Sequence, residues 1–436
     1  MRVNGIVAEY NPFHNGHRYQ LEESRRLTGA DYTVIVMSGG FVQRGAPALA
    51  DKQARAEVAL RCGADLVLEL PVLYACSSAE AFAAGAVALL EGLGAVTHLC
   101  FGSECGDVDA LGQIAAFLLE EPEPYRMALK ASLKQGLSYP NARAGAISAC
   151  REAGEALPEG CGELLASPNN ILGIDYIKAL LRSKSSMVPV TIQRVGAGYH
   201  EGYQKSFYDG FPAPAQPASG PGQEQGPSLS SALAIRQALQ QGCPLARLAG
   251  SMPGESLQIL SSYTKKARLL HADDFSSLLY YKLLMEQGQG YEKYLDVSQS
   301  LSDRIARQLN DFSGYESFCG LLKTKNMTYT RISRCLLHIL LGIEKAHMEL
   351  GQSLGHAPYA RVLGFRRQAA PLLEVIGKLS SVPPVTKLAD AKKSLEADAY
   401  RLLELDIQSS ALYQAMACAH TGRPPKNEFS TPLVIL

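Results

Sequence analysis

The N-terminal segment restricts the fold of this chain more than any other. An apolar run over residues 3–8 predicts a buried β-strand, and a helical pattern begins soon after it. The turn between them ends in the string His14-Asn15-Gly16-His17. A strand that continues through a short turn into a helix is the start of a β-α-β unit, which belongs to a parallel sheet covered on both faces. The N-terminus therefore predicts an α/β fold.

The first 200 residues repeat this alternation of apolar runs and helical patterns. The predicted strands cover residues 3–8, 32–37, 66–70, 96–101 and 188–192. Predicted helices lie near residues 15–27, 50–62, 77–92 and 107–120. Since strands and helices alternate, we expect a parallel sheet with helices on both faces.

The remainder of the chain has a different pattern, because strand signals fade after residue 250. Leu-rich helical patterns follow at residues 321–349, 371–378 and 395–416. We therefore predict an α/β domain over residues 1–248 and a mostly helical domain over residues 249–436. Residues 210–228 are rich in Pro, Gly and Gln and nearly uncharged, which predicts a flexible loop within the first domain.

Composition excludes several classes of protein. Hydrophobic residues make up 47% of the chain and charged residues 19%, which suits a large core and not a disordered chain. The 42 basic and 42 acidic residues cancel, so a polyanionic partner would need a local basic patch. The ten cysteines form no C-x-x-C pair, which is typical of a reducing compartment. No apolar run reaches the ~18 residues of a membrane span, and the first strand leaves no room for a signal peptide. We predict a cytoplasmic protein.

The string at residues 14–17 has side chains that suit phosphate chemistry. Ligands of open parallel sheets bind beyond the carboxyl ends of the strands, and a helix N-terminus attracts phosphate there. His14 and His17 project from one face of the first helical turn and could donate hydrogen bonds to charge that develops on an α-phosphate. Gly16 would let the adenosine approach the backbone. We predict that both histidines are catalytic; the alternative is a helix start with two incidental histidines. No metal site is predicted, because no further ligand cluster lies nearby.

Other polar or glycine-rich stretches would form walls of the same site. Residues 38–45 follow the second strand, where a simple glycine-rich turn is the alternative, and residues 102–104 follow the fourth. Asn169 precedes an apolar helix and could either bind a purine edge or cap the helix. Arg194 follows the fifth strand at the carboxyl edge of the sheet, which favours a phosphate ligand.

Two further segments carry candidate cations. Lys52 and Arg55 open the second predicted helix and face either substrate or solvent. Ser231 and Arg236 lie at another predicted helix start. In isolation, that last pair could equally be an ordinary N-cap followed by an exposed arginine.

Several strings together resemble the tRNA(Met) cytidine acetate ligase family of the HxGH nucleotidyltransferase superfamily. They are residues 6–17, 37–45 and 167–173, and residues 323–340 are similar too, so the resemblance spans nearly the whole chain. It implies a Rossmann-like parallel-sheet nucleotidyltransferase domain followed by an α-helical domain. It also implies an ATP-dependent ligase that acetylates the exocyclic amine of the wobble cytidine of elongator tRNA(Met), giving N4-acetylcytidine.

The resemblance further implies particular substrates and binding residues. ATP, with Mg²⁺, and acetate would form an acetyl-adenylate, without acetyl-CoA. In this superfamily a Ser/Thr-rich turn that ends in Ile-Arg binds the triphosphate, which points to Ser231 and Arg236, although Leu233 replaces the usual small hydroxyl residue. Arg194, Arg236 and Lys52 are the cations that would bring the two anionic substrates together. Carried over by motif, the ATP-binding residues are Val7, Ala8, Glu9, Tyr10, Asn11, Pro12, Phe13, His14, Asn15, Gly16, His17, Arg18, Tyr19, Gln20, Gly102, Asn169, Arg194, Ser231 and Arg236.

Two other functions remain as alternatives to this ligase. One is a small-molecule adenylyltransferase of the same superfamily, and the large helical domain argues against it. The other is a non-catalytic RNA-binding protein with a relic fold, and the intact histidine pair and Arg194 argue against that. Whether the protein forms a homo-oligomer is left open by the sequence.

The helical domain is the predicted tRNA-binding region. Residues 317–343 contain Lys323, Lys325, Arg331 and Arg334 but no acidic residue. Arg331, Arg334 and His338 follow helical spacing on a stripe apart from the apolar one. An acid-free basic cluster in a chain of zero net charge favours RNA contact over a merely solvated face.

Overall fold

The computed structural model describes residues 1–137, 139–194, 231–419 and 421–436. The loop predicted at residues 210–228 lies outside these residues. Within them, no helix is long and apolar enough to cross a membrane.

The described part of the chain contains ten strands, and eight of them form one sheet. They are β1 (Val3–Ala8), β2 (Tyr32–Ser38), β3 (Phe41–Val42), β4 (Ala46–Pro47), β5 (Leu66–Leu70), β6 (His98–Ser103), β7 (Val188–Gln193), β8 (Ala360–Phe365), β9 (Pro384–Val385) and β10 (Val434–Ile435). The five predicted strands correspond to β1, β2, β5, β6 and β7. The remaining pair, β3 and β4, forms a separate antiparallel hairpin that follows β2.

The centre of the sheet is parallel, with the order β5-β2-β1-β6-β7. In register, Val3 lies beside Tyr32 of β2, and Asn4 lies beside His98 of β6. The chain builds outward from β1 through β2 to β5 and then crosses to β6 on the other side. The strand order therefore reverses between β1 and β6, where open α/β sheets bind their ligands.

The C-terminal region adds three strands to this sheet that the sequence pattern did not predict. β8 pairs antiparallel with β5, and β9 and β10 each pair parallel with β8. The sheet thus takes strands from both sides of residue 248, and the predicted domain boundary there stays a prediction.

Helices cover both faces of the sheet and make up most of the C-terminal region. They are α1 (Asn15–Thr28), α2 (Lys52–Arg61), α3 (Val72–Ala75), α4 (Ala79–Gly92), α5 (Val108–Glu120), α6 (Glu123–Lys134), α7 (Tyr139–Glu152), α8 (Cys161–Leu164), α9 (Pro168–Ser183), α10 (Ala232–Gln240), α11 (Gly254–Thr264), α12 (Ser276–Glu286), α13 (Gln299–Gln308), α14 (Tyr315–Leu322), α15 (Tyr329–Leu341), α16 (Lys345–Ser353), α17 (Ala370–Leu379), α18 (Leu388–Ser394) and α19 (Ala397–Cys418). The four helices predicted in the first 200 residues are α1, α2, α4 and α5.

Side-chain alternation along the strands separates two cores on the two faces. Val34 and Val36 of β2 pack in the cluster that includes α4, α5 and α9, whereas Ile35 and Met37 pack in the cluster that includes α1 and α2. Leu279, Leu301, Phe318 and Leu336 belong to a third core, formed by α12 to α15. The helical region therefore has a hydrophobic core of its own, in agreement with an α/β domain joined to a helical domain.

The helical pattern predicted over residues 321–349 is divided between three helices. A turn over residues 323–328 separates α14 from α15. Gly342 ends α15 in the left-handed conformation, with φ at 70°. Glycine adopts this conformation without the penalty that a Cβ atom brings, so it commonly terminates helices.

A buried cluster of four charges joins the C-terminal segment to the sheet. Lys52 Nζ lies 2.8 Å from Glu69 and 2.6 Å from Glu428, and Arg361 of β8 contacts both carboxylates as well. These cations lower the pKa of Glu428 to about 2, against the effect of burial. Lys52 is 2% exposed, so the expectation that it faces substrate or solvent was wrong. It instead shares with Arg361 the neutralisation of two buried carboxylates, those of Glu69 and Glu428.

We expect Lys52→Met to lower the free energy of unfolding by about 3–5 kcal/mol, because breaking a buried ion cluster leaves uncompensated charge. Lys387→Met is the control, since this exposed lysine pairs with Asp390 at the surface and should change stability by less than about 1 kcal/mol. Urea unfolding followed by circular dichroism measures both. Equal effects of the two substitutions would contradict the role of the cluster.

Candidate functional site

A cavity of about 530 Å³ opens beyond the carboxyl ends of β1 and β6. It lies where the strand order reverses, as expected for an open parallel sheet. Its volume is in the range typical of small-molecule sites. Among the predicted ATP-binding residues, the following line it: Val7, Ala8, Glu9, His14, Gly16, His17, Tyr19, Gln20, Gly102, Asn169, Arg194 and Ser231.

His14 and His17 cap α1 reciprocally. His14 is the N-cap residue, and its Nδ1 accepts a hydrogen bond from the backbone N–H of Gly16 at 3.0 Å. The backbone N–H of His14 donates to Nδ1 of His17 at 3.2 Å. The two rings are stacked, with centroids 3.8 Å apart and planes inclined by 23°. This capping box normally uses Ser or Thr with Glu, and here two imidazoles replace both.

The caps determine which ring nitrogens carry protons. Because Nδ1 of each ring accepts a backbone N–H, the proton of each neutral imidazole resides on Nε2. Each ring thus has one Nε2–H donor that the cap does not use. Both histidines line the cavity, so these donors are available to an anion bound there.

Burial keeps both imidazoles neutral. It lowers the pKa of His14 to about 4, with further lowering by the charges of Arg194 and Arg236. It also lowers the pKa of His17 well below its usual range, and the charges of His14 and Arg194 act in the same direction. Near neutral pH the pair therefore consists of hydrogen-bond donors without charge of their own.

The packing of the His14 ring explains the glycine at position 16 more directly than the adenosine contact expected from the sequence. A Cβ atom at this position would lie 2.9 Å from a carbon of the His14 ring. Any side chain here would displace the ring from its cap. Glycine is needed because the two histidines share the first turn.

The predicted residues that do not line the cavity support the turn from behind. Tyr10 and Phe13 are buried. The centroid of the Tyr10 ring lies 4.7 Å from that of Phe13 and 4.9 Å from that of His17. Pro12 lies between them in the turn. Asn11 Oδ1 accepts the backbone N–H of Leu49.

The other three of these residues hold helix starts and the turn in place. Asn15 donates to the carbonyl of Gly250, and Arg18 pairs with Glu255 at 2.6 Å. Arg236 donates to the carbonyl of Asn11 at 2.6 Å. Arg236 thus binds the turn and does not line the cavity, but its charge still lowers the pKa of His14.

Arg55 organises the same edge of the sheet. It is buried, and its guanidinium donates to the carbonyls of Glu9, Ser38 and Gly39, which lie at the carboxyl ends of β1 and β2. Carbonyl groups at strand ends lack sheet partners, and one arginine satisfies several of them. Arg55 therefore positions the loops, and the suggestion that it faces substrate or solvent was wrong.

The opposite wall is formed by residues after β6 and at the start of α9. The Glu104 carboxylate accepts the backbone N–H groups of Asn169 and Asn170 and the side-chain amide of Asn169 at 2.6 Å. Arg194 is exposed at the rim and passes close to Gly102, where a Cβ would lie 3.4 Å from its Cγ. Ser231 Oγ caps α10 while it lines the cavity.

The sequence did not predict one wall of the cavity, which is formed by α15 of the helical region. Thr330 and Arg334 of α15 line the cavity together with Gln43 and Arg44 of the β3–β4 hairpin. The residues 38–45 had been proposed as a wall, but nothing in the local pattern of α15 indicates that it faces the hairpin. The remaining apolar lining includes Phe82, whose helix pattern is that of an ordinary core residue.

The four predicted tRNA-binding residues separate into two environments. Lys323, Lys325 and Arg331 are exposed, whereas Arg334 is half-buried and lines the cavity. His338 is fully buried, with Nδ1 2.9 Å from the carbonyl of Leu295 and Nε2 2.9 Å from that of Cys76. The expectation that His338 shares an open stripe with the arginines was therefore wrong.

Among the described residues no group of three or more His, Cys, Asp or Glu side chains is placed to hold a metal. Glu9 is the single acidic residue among the described residues that line the cavity.

A parallel sheet whose first strand leads into a helix capped by two neutral histidines, beside a nucleotide-sized cavity, defines a nucleotidyl transferase of the HIGH type. A profile of the HIGH Nucleotidyl Transferase family matches residues 1–208 and 219–426 of this chain. Nearly the whole sequence takes part in this match, so the helical region belongs to the same family architecture.

Similar proteins and solved structures show which family of HIGH nucleotidyl transferases the chain belongs to. The tRNA(Met) cytidine acetate ligase of Acetivibrio thermocellus is 38% identical over 100% of both chains, and that of Caldanaerobacter subterraneus subsp. tengcongensis is 39% identical over 95% of each. The crystal structure of Thermotoga maritima TmcAL bound with alpha-thio ATP is 32% identical, with a TM-score of 0.87 over 100% of both chains. The chain belongs to the tRNA(Met) cytidine acetate ligase family within the HIGH nucleotidyl transferases.

The histidine pair should show its protonation state directly. We expect ¹⁵N NMR of histidine-labelled protein to give His14 in the Nε2–H form at neutral pH, with a titration midpoint at about pH 4. Burial lowers the pKa of His14 in the folded protein below the ordinary 6.5. The contribution of neutral His14 to the free energy of unfolding is therefore complete above pH 6.5 and is lost as the pH falls toward 4. The urea-unfolded protein, in which the histidines should titrate normally, is the control. An Nδ1–H form, or a folded-state midpoint near the unfolded value, would disprove the arrangement.

Proposed function

We propose that this chain is an ATP-dependent ligase that acetylates the exocyclic amine of the wobble cytidine of elongator tRNA(Met). The observation that carries the proposal is the His14/His17 pair, whose two Nε2–H donors line a nucleotide-sized cavity in a chain similar to such ligases along its entire length. The ligase would use acetate and ATP, and not acetyl-CoA, and would act in the cytoplasm.

In the first step a carboxylate oxygen of acetate attacks the α-phosphorus of ATP. The bond from that phosphorus to the bridging oxygen breaks, pyrophosphate leaves with the electron pair, and acetyl-adenylate forms. Negative charge grows on the α-phosphate oxygens, and Nε2–H groups of His14 and His17 stabilise it as fixed donors. Neutral donors suit this task, because they require no proton transfer during the step.

In the second step the cytosine amine attacks the acetyl carbon. A carbon–nitrogen bond forms, the bond from the acetyl carbon to the phosphate oxygen breaks, AMP leaves, and the amine loses a proton to solvent. The amine is a weak nucleophile because its lone pair is delocalised into the ring. The acyl-adenylate compensates for this with a good leaving group.

The charges of the site suit two anionic substrates. Arg194 at the rim and the α1 N-terminus would bind phosphates, and Arg236 raises the local positive potential at His14 from behind the turn. Mg²⁺ would enter with the triphosphate, where Glu9 is the available acidic side chain, and would neutralise the leaving pyrophosphate. Gly102 leaves one wall without a side chain, so that the nucleoside can approach the backbone.

Substitutions of His17 test the role of the Nε2–H donor. His17→Asn keeps an acceptor for the backbone N–H of His14 but removes the outer donor, whereas His17→Gln restores a donor near the Nε2 position. We expect His17→Asn to reduce acetate-dependent ATP–pyrophosphate exchange by about 10²–10³-fold, the usual effect of one lost oxyanion donor. His17→Gln should retain more activity than His17→Asn.

Both variants should keep the wild-type circular dichroism spectrum. Near-normal exchange by folded His17→Asn would remove His17 from the mechanism. Exchange by the wild type that needs another phosphorylated substrate in place of acetate would instead indicate the small-molecule adenylyltransferase.

The exposed residues Lys323, Lys325 and Arg331 form the proposed tRNA surface. Phosphate contacts release counterions, so each lost contact should flatten the log–log salt dependence of tRNA binding by about 0.7–0.9. We expect Lys325→Ala with Arg331→Ala to weaken tRNA binding and to reduce that slope, while acetate-dependent exchange is retained.

The control is Lys130→Ala with Lys134→Ala, which removes two basic residues that are equally exposed on α6. Filter binding across a salt series measures both double variants. If the Lys325/Arg331 double variant and the Lys130/Lys134 double variant bind tRNA alike, this face is not the tRNA surface.

A further inference from the structure

Arg334 differs in position from the other basic residues of the helical region. Thr330 and Arg334 are four residues apart on α15, and both line the cavity. Arg331 lies on the same helix but is exposed. One helix thus carries a basic residue on the outside and another within the cavity, about 4.5 Å apart along the helix axis.

The contact between α15 and the β3–β4 hairpin fixes Arg334 in place. The carbonyl of Gly45 accepts from Ser333 Oγ at 2.8 Å and from Tyr315 Oη at 3.1 Å. Gly45 has φ at 75°, and a Cβ atom there would lie 2.4 Å from the backbone N of Arg334. The helix backbone at Arg334 therefore packs directly on the hairpin, which fixes the point from which this side chain enters the cavity.

One guanidinium donor of Arg334 has no acceptor among the described residues. Its Nε is buried, and none of the described groups accepts a hydrogen bond from it. Burial lowers the pKa of Arg334, yet an arginine of this basicity keeps its charge at neutral pH. A charged donor without an acceptor, on the wall of a cavity, is suited to bind an anion.

Arg334 reaches the cavity from α15 of the helical region, whereas the histidine pair reaches it from the start of α1. The charges that lower the pKa of His14 are those of Arg194 and Arg236. The groups whose charges act on the pKa of Arg334 are Asp296, Cys335 and Arg331 of the helical region, and Cys76. Arg194 and Arg236 are therefore the cations that act at the histidine pair, and Arg334 is available for a different anion.

We propose that Arg334 binds a backbone phosphate of the RNA strand beside the acceptor nucleotide and thereby positions the cytosine amine for acetyl transfer. This inference rests on the proposed function. The strand would approach over Arg331 and enter the cavity at Arg334, since both are presented by α15. Arginine suits this contact because its planar fork matches two phosphate oxygens.

Two half-reactions separate this role from one in adenylate formation. Acetate-dependent ATP–pyrophosphate exchange reports on the first step. Transfer from enzyme preloaded with acetyl-adenylate to saturating tRNA, followed in a single turnover, reports on the second. The variants are Arg334→Ala, Arg334→Lys and Arg331→Ala, with the exposed Arg126→Ala on α6 as the matched control.

We expect Arg334→Ala to slow single-turnover transfer by on the order of 10²-fold, the usual effect of misplacing a reacting group. Exchange should fall far less than transfer. Arg334→Lys should recover part of the transfer rate, because it restores the charge but not the fork. Arg331→Ala should raise the tRNA concentration needed for half-saturation, and Arg126→Ala should change neither that concentration nor the transfer rate.

Loss of exchange as large as the loss of transfer in Arg334→Ala would overturn the inference and assign Arg334 to adenylate formation. An unchanged transfer rate at saturating tRNA would also overturn it. Either result for the variant is compatible with normal acetate-dependent exchange by the wild type, so the proposed function would stand. Absence of that exchange in the wild type would overturn both.

Discussion

Two histidine side chains cap the first helix, and the chemistry of the site depends on the nitrogens that this cap leaves unused. Nδ1 of His14 and of His17 accepts a backbone N–H, so each Nε2 carries the proton. An ordinary capping box would satisfy the same backbone groups but would place a hydroxyl and a carboxylate here. The carboxylate would repel a phosphate, whereas a neutral imidazole attracts it. The packing of Gly16 under the His14 ring, and of Tyr10 beside His17, serves this one arrangement.

The cavity is held in shape by contacts between segments that are far apart in sequence. Arg55 binds the carbonyl groups that follow β1 and β2, and Gly45 fixes the β3–β4 hairpin to α15. The charges of Lys52 and Glu69 meet those of Arg361 and Glu428, which attaches the C-terminal segment to the edge of the sheet. The helical region is therefore one wall of the site.

Local sequence was sufficient for the elements that carry their own signal. The apolar run of β1 and the helix after it were predicted within one residue of Val3–Ala8 and Asn15–Thr28, because their periodicity does not depend on distant partners. β8 was missed because Arg361 and Gly364 interrupt its apolar pattern. The arginine is tolerated in a buried strand since Glu69 and Glu428 neutralise it there. β9 and β10 are two residues long, too short for any pattern.

The sequence by itself determined the class of chemistry, since the spacing of His14 and His17 after a strand places two imidazoles at a helix N-terminus. It also determined that α15 carries basic residues without nearby acids. Only the tertiary structure decided which of them face the cavity. Arg331 and Arg334 share a helical stripe, yet the packing of α15 on Gly45 puts one outside and the other in the cavity. Helical spacing defines the relative directions of side chains on one helix, but their exposure depends on what packs against that helix. For α15 the packing partner is Gly45, which lies almost 300 residues away in the chain.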